Sequence, residues 1–243
     1  MRLDNKNIIV TGANRGIGAA IVRELLKHKV GKVYATARKI ESLPDFGDKR
    51  VVPVALDITN AGQVASAAEK AKDVHVLINN AGIATFTSLI EGTTDAIAAD
   101  MNTNYHGTLG VIRAFVPVLQ KNGAGLIANV ASVVSLAPVP GIGGYSASKA
   151  ALHSATQSLR TELAARNIQV SGIYPGPIDT DMAKDFPMEK TSAESTAAAI
   201  VKGLIAGDDY IFPDPMSAEV GQLWRRDPVA LEKQLAAPLD KAA

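Results

Sequence analysis

The sequence contains no cysteine. This absence excludes disulfide bonds, thiolate metal sites and a cysteine nucleophile. It also suits the reducing cytoplasm, where disulfides are rare. We assign no metal-ligating residues to the chain.

An excess of charge and a long apolar run are also missing. Lysine and arginine number 25 against 24 for aspartate and glutamate, which gives a net charge of +1. A nucleic-acid binder needs a basic stripe, and a membrane helix needs about 20 apolar residues. The opening Met-Arg-Leu-Asp-Asn-Lys-Asn lacks the apolar core of a signal peptide. We expect a soluble cytoplasmic protein that binds neither nucleic acid nor a membrane.

Linkers and repeats of one residue type are likewise missing: the chain has no Gly/Ser linker, proline-rich tract or block of like charge. Its 243 residues, 47% of them hydrophobic, suffice to bury one large core. We therefore expect a single domain over residues 1–243.

What the sequence does contain is an alternation of short β-branched runs and amphipathic stretches. This rhythm predicts right-handed crossovers and an α/β fold, a doubly wound, parallel seven-stranded sheet with helices on both faces. Ligands bind outside the carboxyl ends of such strands. Pro53 weakens one strand assignment, since proline lacks a ladder donor. The predicted strands are 7–10, 31–36, 51–56, 74–78, 125–130, 168–174 and 209–212, and the predicted helices are 17–28, 61–72, 94–102, 105–120, 145–166 and 193–205.

A glycine-rich loop, Thr11-Gly12-x-x-x-Gly16-x-Gly18, joins the first predicted strand to the first predicted helix. Glycines there permit a tight turn and a close approach to a pyrophosphate, and the helix start supplies free N–H groups. A triphosphatase loop is excluded because no Gly-Lys-Ser/Thr follows. An ordinary glycine turn remains the alternative, which the flanking strand and helix make less favourable.

The end of the second strand bears on the choice of cofactor. NAD-binding folds place an acid there for the ribose hydroxyls, but this sequence has Arg38 and no acid until Glu41. Arginine suits a 2′-phosphate because its planar fork donates two hydrogen bonds, and Arg15 can add a second cation. We predict NADP(H) over NAD(H); the alternative is a pair of solvated surface arginines.

Tyr145 and Lys149 stand four residues apart on a predicted helix, so they share one face. An ammonium about 4 Å from the phenol favours the phenolate by about 4 kcal/mol, or about three pKa units. We therefore expect the pKa of Tyr145 to fall towards about 7, where proton transfer is efficient. Ser132 precedes Tyr145 by thirteen residues.

Together these motifs resemble the short-chain dehydrogenase/reductase family in its compact branch, over nearly the whole chain. The motifs are Thr11-Gly12-Ala13-Asn14-Arg15-Gly16-Ile17-Gly18, Asp57, Asn79-Asn80-Ala81-Gly82, Asn104, Ser132, Tyr145, Lys149 and Pro175-Gly176. The resemblance implies a Rossmann-type domain that transfers a hydride between NADP(H) and a carbonyl or alcohol substrate. It also implies a homotetramer or homodimer.

The resemblance further implies four catalytic residues. Tyr145 is the proton donor or acceptor, Lys149 holds the nicotinamide ribose, and Ser132 orients the substrate oxygen. Asn104 fixes a water that connects the lysine to solvent. The implied cofactor contacts are Gly12, Asn14, Arg15, Gly16, Ile17, Gly18, Arg38, Asp57, Ile58, Asn80, Ala81, Gly82, Tyr145, Lys149, Pro175, Gly176, Ile178 and Thr180.

Two assignments involve a choice between neighbours. By the resemblance, Asn104 is preferred to Asn102 because the family places this residue three positions before a glycine. Ser132 is preferred to Ser135 for its thirteen-residue interval to Tyr145. Three other classes compete with the reductase. A methyltransferase would have an acid at the end of the second strand, where this sequence has Arg38. A serine hydrolase needs the motif Gly-x-Ser-x-Gly, which this sequence does not provide. A non-catalytic NADP(H)-binding sensor or regulatory protein has no need of the four catalytic residues.

The segment 177–195 after Pro175-Gly176 is predicted to be a lid over the substrate. Its apolar side chains, with others upstream, favour an apolar ketone or aldehyde as substrate. The apolar wall would comprise Met182, Phe186 and Met188, with Ala84, Phe86, Val139 and Ile142 opposite. The amphipathic tail 213–243 has no obvious catalytic residue and is predicted to pack on the surface. The alternative, which the resemblance implies, is a place at a subunit interface.

Overall fold

The computed structural model describes residues 3–237, which form a seven-stranded parallel sheet between two layers of helices. The strands of this sheet are β1 (Ile8–Val10), β2 (Val33–Ala37), β3 (Val51–Ala55), β4 (Val76–Asn79), β5 (Gly125–Val130), β6 (Ile168–Ile173) and β9 (Tyr210–Ile211); β7 (Ile178–Asp179) and β8 (Thr191–Ser192) form a separate pair. The strand order in the large sheet is β3-β2-β1-β4-β5-β6-β9. The predicted doubly wound α/β class and strand number are therefore confirmed.

Alternate side chains of each strand enter different halves of the core. The helices are α1 (Gly16–Leu26), α2 (Ala61–Lys70), α3 (Thr94–Met101), α4 (Thr108–Lys121), α5 (Gly143–Ala164), α6 (Ala193–Ala206), α7 (Pro215–Arg226) and α8 (Pro228–Ala236). Ile8 and Val10 pack with α1 and α6 on one face, while Ile9 packs with α2, α4 and α5 on the other. Both faces are apolar, which explains the continuous hydrophobic runs in the sequence.

Pro53 is accommodated because β3 lies at the edge of the sheet. It pairs with Ala35 of β2 on one side only, so the missing N–H leaves no inner ladder bond unmade.

The two helices predicted at 94–102 and 105–120 are joined without a break. A π-helical turn, Asn102–Gly107, links α3 to α4. Such a wider turn adds a residue while keeping the backbone hydrogen-bonded, and it is common at functional sites. Apolar spacing does not reveal it, because the turn shifts the helical face between the two segments.

The predicted lid, 177–195, includes two short paired strands and the first residues of α6. Residues 178–179 pair with 191–192 as β7 and β8, and the Ser192 side chain caps α6 by accepting from the Ser195 N–H at 3.1 Å. Ala193 and Ala197 are already buried in the core. Only residues 180–190 form a loop between the paired strands, and its mobility stays a prediction.

Two helices in the tail were not anticipated from the sequence. Asp214 and Asp227 each cap a helix whose first residue is proline, Pro215 in α7 and Pro228 in α8. This Asp-Pro pattern is a local signal for a helix start, and it occurs twice. Residues 238–243 of the tail lie outside the described residues.

Candidate active site

A cavity of about 1210 Å³ opens at the carboxyl ends of the strands, at the point between β1 and β4 where strand order reverses. Every residue assigned to the cofactor from the sequence lines it. These are Gly12, Asn14, Arg15, Gly16, Ile17, Gly18, Arg38, Asp57, Ile58, Asn80, Ala81, Gly82, Tyr145, Lys149, Pro175, Gly176, Ile178 and Thr180. Ser132 lines it as well.

The glycine loop is tied to the loop after β4 by Thr11 and Asn80. The Thr11 hydroxyl accepts hydrogen bonds from the Asn80 and Ala81 N–H groups, each at 3.0 Å. In return the Asn80 side chain donates to the Thr11 and Gly12 carbonyls, also at 3.0 Å. Asn80 therefore fixes the shape of the glycine loop, and its side-chain amide nitrogen is hydrogen-bonded to the loop itself.

Two glycines of this loop are required by space and backbone. Gly12 has a φ of 65°, and a Cβ there would lie 2.9 Å from the Ala81 Cα. A Cβ on Gly18 would lie 2.2 Å from the Gly12 carbonyl oxygen. The loop can thus be this tight only with glycine, which leaves the first turn of α1 facing the cavity. Arg15, at the helix start, makes no side-chain cap, so these N–H groups remain available to an anion.

The ends of β2 and β3 form a polar end of the cavity. Arg38 lies close enough to Asp57 for its charge to lower the pKa of that carboxyl, after the larger effect of hydrogen bonds from Thr59. Lys39 and Ser42 line the same end and were missed in the sequence analysis. A run of Arg-Lys after a strand is the signal that could have found Lys39.

Arg15 lines the cavity and also contacts the 180–190 loop. Its Nη1 donates to Asp181 in the 180–190 loop at 3.0 Å, and both side chains are about two-thirds exposed. The guanidinium therefore contacts the root of the loop. That Arg15 joins Arg38 at a 2′-phosphate stays a prediction.

Tyr145 stands near the start of α5, with its ring half-buried at the cavity wall. Burial raises its pKa to about 12, a hydrogen bond with Ser132 acts in the opposite direction, and the charge of Asp100 raises it further. Ser132 is held at the end of β5, where its Oγ lies 3.4 Å from the Pro175 carbonyl oxygen. The two hydroxyls thus face one point of the cavity.

The expected acidification of Tyr145 by Lys149 is wrong for this structure. Lys149 Nζ donates to the Val130 carbonyl at 2.8 Å and lies 5.8 Å from the centre of the Tyr145 ring. The hydrogen bond of the ammonium is therefore made to the end of β5. Its own pKa is lowered to about 8 by burial, with Asp100 acting against that shift.

Asn104 is withdrawn from the cavity surface and fully buried in the π-helical turn. Its Oδ1 accepts from the Ile83 N–H, and its Nδ2 donates to the Ile83 carbonyl and the Ser148 hydroxyl, all at 2.9 Å. Both amide protons are therefore used within the protein. Asn104 links the loop after β4 to α5, while Asn102 is exposed.

The other end of the cavity is apolar. Phe86, Val139, Ile142, Met182, Phe186 and Met188 line it as predicted, and Ala84 is the one predicted wall residue absent from its lining. The tail contributes Met216, Gln234 and Leu235 to the lining, so it covers part of the cavity. The reason is that Leu231 and Val220 pack on Val133 and Val134, and so bring the tail over the site.

Within residues 3–237, no helix combines the length and apolarity that a membrane crossing demands.

Comparisons with known proteins agree with this arrangement. A family model described as short chain dehydrogenase matches residues 6–191. A short chain dehydrogenase from Burkholderia cenocepacia, solved in complex with NADP, is 40% identical, with a TM-score of 0.92 over 98% of this chain and 100% of that one.

Two curated relatives are more distant. An uncharacterized oxidoreductase of Staphylococcus saprophyticus is 35% identical over 76% of this chain and 83% of its own length. The 3-oxoacyl-[acyl-carrier-protein] reductase FabG of Thermotoga maritima is 33% identical over 77% of this chain and 80% of its own length. The chain therefore belongs to the short-chain dehydrogenase/reductase family of oxidoreductases.

Proposed function

We propose that this enzyme is an NADP(H)-dependent reductase that interconverts an uncharged, apolar ketone or aldehyde and the corresponding alcohol. The observation that carries the proposal is the position of Tyr145 and Ser132. Their hydroxyls lie where the polar end of the cavity meets its apolar end. A carbonyl group held there would have a hydrogen-bond donor at its oxygen and apolar surface around its substituents.

The residues of the polar end fit NADP(H). The uncapped start of α1 and its glycines suit a pyrophosphate. Arg38, Lys39 and Ser42 offer two cations and a hydroxyl to a 2′-phosphate. The NADP complex of the Burkholderia cenocepacia relative supports this reading. A Burkholderia phymatum protein of the same fold was solved with NAD, so the fold alone does not decide the cofactor.

When bound, NADPH supplies the hydride that reduces the carbonyl carbon. Tyr145 donates its hydroxyl proton to the carbonyl oxygen. A pKa raised to about 12 keeps that proton on Tyr145 at neutral pH, which favours the reducing direction.

Ser132 orients the carbonyl oxygen. Lys149, which is hydrogen-bonded to Val130, supplies positive charge beside the Tyr145 ring. Asn104 acts through Ser148, whose hydroxyl donates to the Tyr145 carbonyl, as a positioning residue.

A non-catalytic NADP(H)-binding sensor is the alternative function. The two are separated by following NADPH absorbance with a panel of uncharged ketones and aldehydes, with NADH as the comparison. The reductase predicts loss of absorbance with at least one apolar carbonyl. Tight NADPH binding without turnover of any of them would favour the sensor.

The proposal extends to a cytoplasmic homodimer or homotetramer. Support comes from the alanine-rich part of α5, residues 147–155, whose small side chains suit close packing of helices between subunits. Light scattering on the purified protein tests the assembly, and a monomer mass would contradict it.

A further inference from the structure

Phe86 has a backbone conformation that residues other than glycine seldom adopt. Its φ is 50°, in the left-handed region. Such a conformation persists only when its surroundings impose it, and it is concentrated at ligand-binding sites. Phe86 lies in the loop after β4 and lines the apolar end of the cavity.

The ring of Phe86 joins the proton donor to the 180–190 loop. It stands edge-on to the Tyr145 ring, with centroids 6.2 Å apart, and edge-on to the Phe186 ring at 5.1 Å. These are the separations and orientations that aromatic pairs prefer. Phe86 is 36% exposed, so part of its ring remains open to a ligand beside Tyr145.

The buried carboxylate of Asp100 holds Thr85, the residue before Phe86. Asp100, at the end of α3, is fully buried, and its Oδ1 accepts from the Thr85 N–H at 3.0 Å. Its Oδ2 accepts from the Thr85 hydroxyl at 2.7 Å. The same Oδ2 would lie 3.3 Å from a Cβ on Gly144, which precedes Tyr145. Asp100 therefore fixes the Thr85–Phe86 turn against the start of α5.

Within the described lining, Lys149 is the cation nearest to Tyr145, and its ammonium is hydrogen-bonded to the Val130 carbonyl. The other ionisable residues of that lining are Arg38, Lys39 and Asp57 at the polar end, and Arg15, which is paired with Asp181. A carboxylate placed against Phe86 would be desolvated without a cation.

We propose that Phe86 is one wall of the substrate subsite and selects an uncharged carbonyl compound with a planar aromatic ring. Thr85 and Asp100 are the positioning residues that hold it there. The inference rests on the proposed reductase function for its biological meaning. Its test is a binding measurement with the oxidised cofactor, so that it can fail or succeed independently of turnover.

The experiment measures the dissociation constants of two probes by calorimetry, with the full-length enzyme saturated with NADP⁺. The probes are 2-acetylnaphthalene and its anionic analogue 6-acetyl-2-naphthoate. The wild type should bind the uncharged probe at least about tenfold more tightly than the anion, because a buried unpaired charge is costly. Equal affinities, or no measurable binding of 2-acetylnaphthalene, would overturn the proposal.

Three variants then separate the wall from its support. Phe86→Ala should weaken binding of 2-acetylnaphthalene about tenfold, since it removes the aromatic contact. Thr85→Val keeps the N–H donor but loses the hydroxyl bond to Asp100, and should weaken binding about threefold. Thr85→Ser restores that donor and should bind within about twofold of the wild type.

Thr93→Val is the matched control. Thr93 caps the same helix, α3, by accepting from the Ala96 N–H at 3.2 Å. Its loss should lower the melting temperature without changing probe affinity. If Phe86→Ala and Thr85→Val bind the probe as the wild type does, or if Thr93→Val weakens binding as much as Thr85→Val, the assigned roles are wrong.

Discussion

The Nζ of Lys149 donates a 2.8 Å hydrogen bond to the carbonyl of Val130, the last residue of β5. This contact anchors the catalytic face of α5 to the strand that ends beside Ser132. It also takes the ammonium into a buried site, where desolvation lowers its pKa to about 8. Of Lys149 and Tyr145, the lysine is therefore the residue that changes its charge nearer to neutral pH.

The pH profile of reduction should reflect this lysine. Because the ammonium is lost as pH rises through about 8, kcat/KM for carbonyl reduction should decline over that range. Tyr145, with a pKa of about 12, keeps its proton there. The check is a profile from neutral to alkaline pH, accompanied by ultraviolet titration of the wild type against Tyr145→Phe. A phenolate signal near neutrality would contradict this assignment and restore an acidified phenol.

Cofactor preference should depend on Arg38. Replacing it with alanine removes charge-assisted hydrogen bonds worth about 1.5–3 kcal/mol, so the NADPH-to-NADH ratio of kcat/KM should fall at least about tenfold. The ratio is measured with one carbonyl substrate and both cofactors. Arg166→Ala, at an exposed site just after the end of α5, is the control and should leave the ratio unchanged. An unaltered ratio in Arg38→Ala would remove the basis for the NADP(H) assignment.

A series of hydrogen bonds between buried polar side chains of β4, β5 and α5 should stabilise the folded protein. Asn79 Nδ2 donates to Asn129 Oδ1 at 2.8 Å, and Asn129 Nδ2 donates to the Thr156 hydroxyl at 3.0 Å. Asn129→Val leaves both partners without these bonds and should lower the free energy of unfolding by about 2–4 kcal/mol. Denaturant unfolding measures the change.

The exposed Asn102 offers the matched comparison. Asn102→Ala should alter the unfolding free energy by less than about 0.5 kcal/mol. If both variants lost a similar amount of unfolding free energy, the buried hydrogen bonds of Asn129 would make no special contribution to stability.

The fold and the cavity lining could be predicted because their signals are local. Short β-branched apolar runs mark the strands, helical spacing marks the helices, and glycines such as Gly12 and Gly18 mark a backbone that no other residue fits. Since strands of a parallel sheet end on one edge, residues that follow them meet in space. That rule brings Arg38 and Asn80 into one cavity without knowledge of any contact.

What could not be predicted depends on contacts between distant parts of the chain. The sequence places Tyr145 and Lys149 on one face, but the choice of Val130 as the partner of Lys149 follows from β5. The raised pKa of Tyr145 follows from burial, which spacing does not report. Likewise the tail reaches the site only because Leu231 packs into a cluster with Val133.

The role of the tail in the site can be tested at Leu235. Leu235→Ala removes apolar surface at the substrate end and should raise KM for an apolar ketone several-fold, while kcat changes little. Each buried methylene contributes about 0.8 kcal/mol, and Leu235 is only partly buried. Steady-state kinetics give both parameters. Lys233→Ala, on the exposed side of the same helix, should leave KM unaltered, and an equal effect of both variants would refute the wall assignment.

The most direct test of the mechanism is Tyr145→Phe, which removes the hydroxyl and keeps the ring that contacts Phe86. General-acid catalysis contributes about 10² to 10⁴-fold, so kcat for ketone reduction should fall by that factor while the dissociation constant for NADPH stays near the wild-type value. Tyr105→Phe, in the π-helical turn, serves as the control and should retain its rate. Turnover by Tyr145→Phe at the wild-type rate would contradict the assignment of Tyr145 as the proton donor.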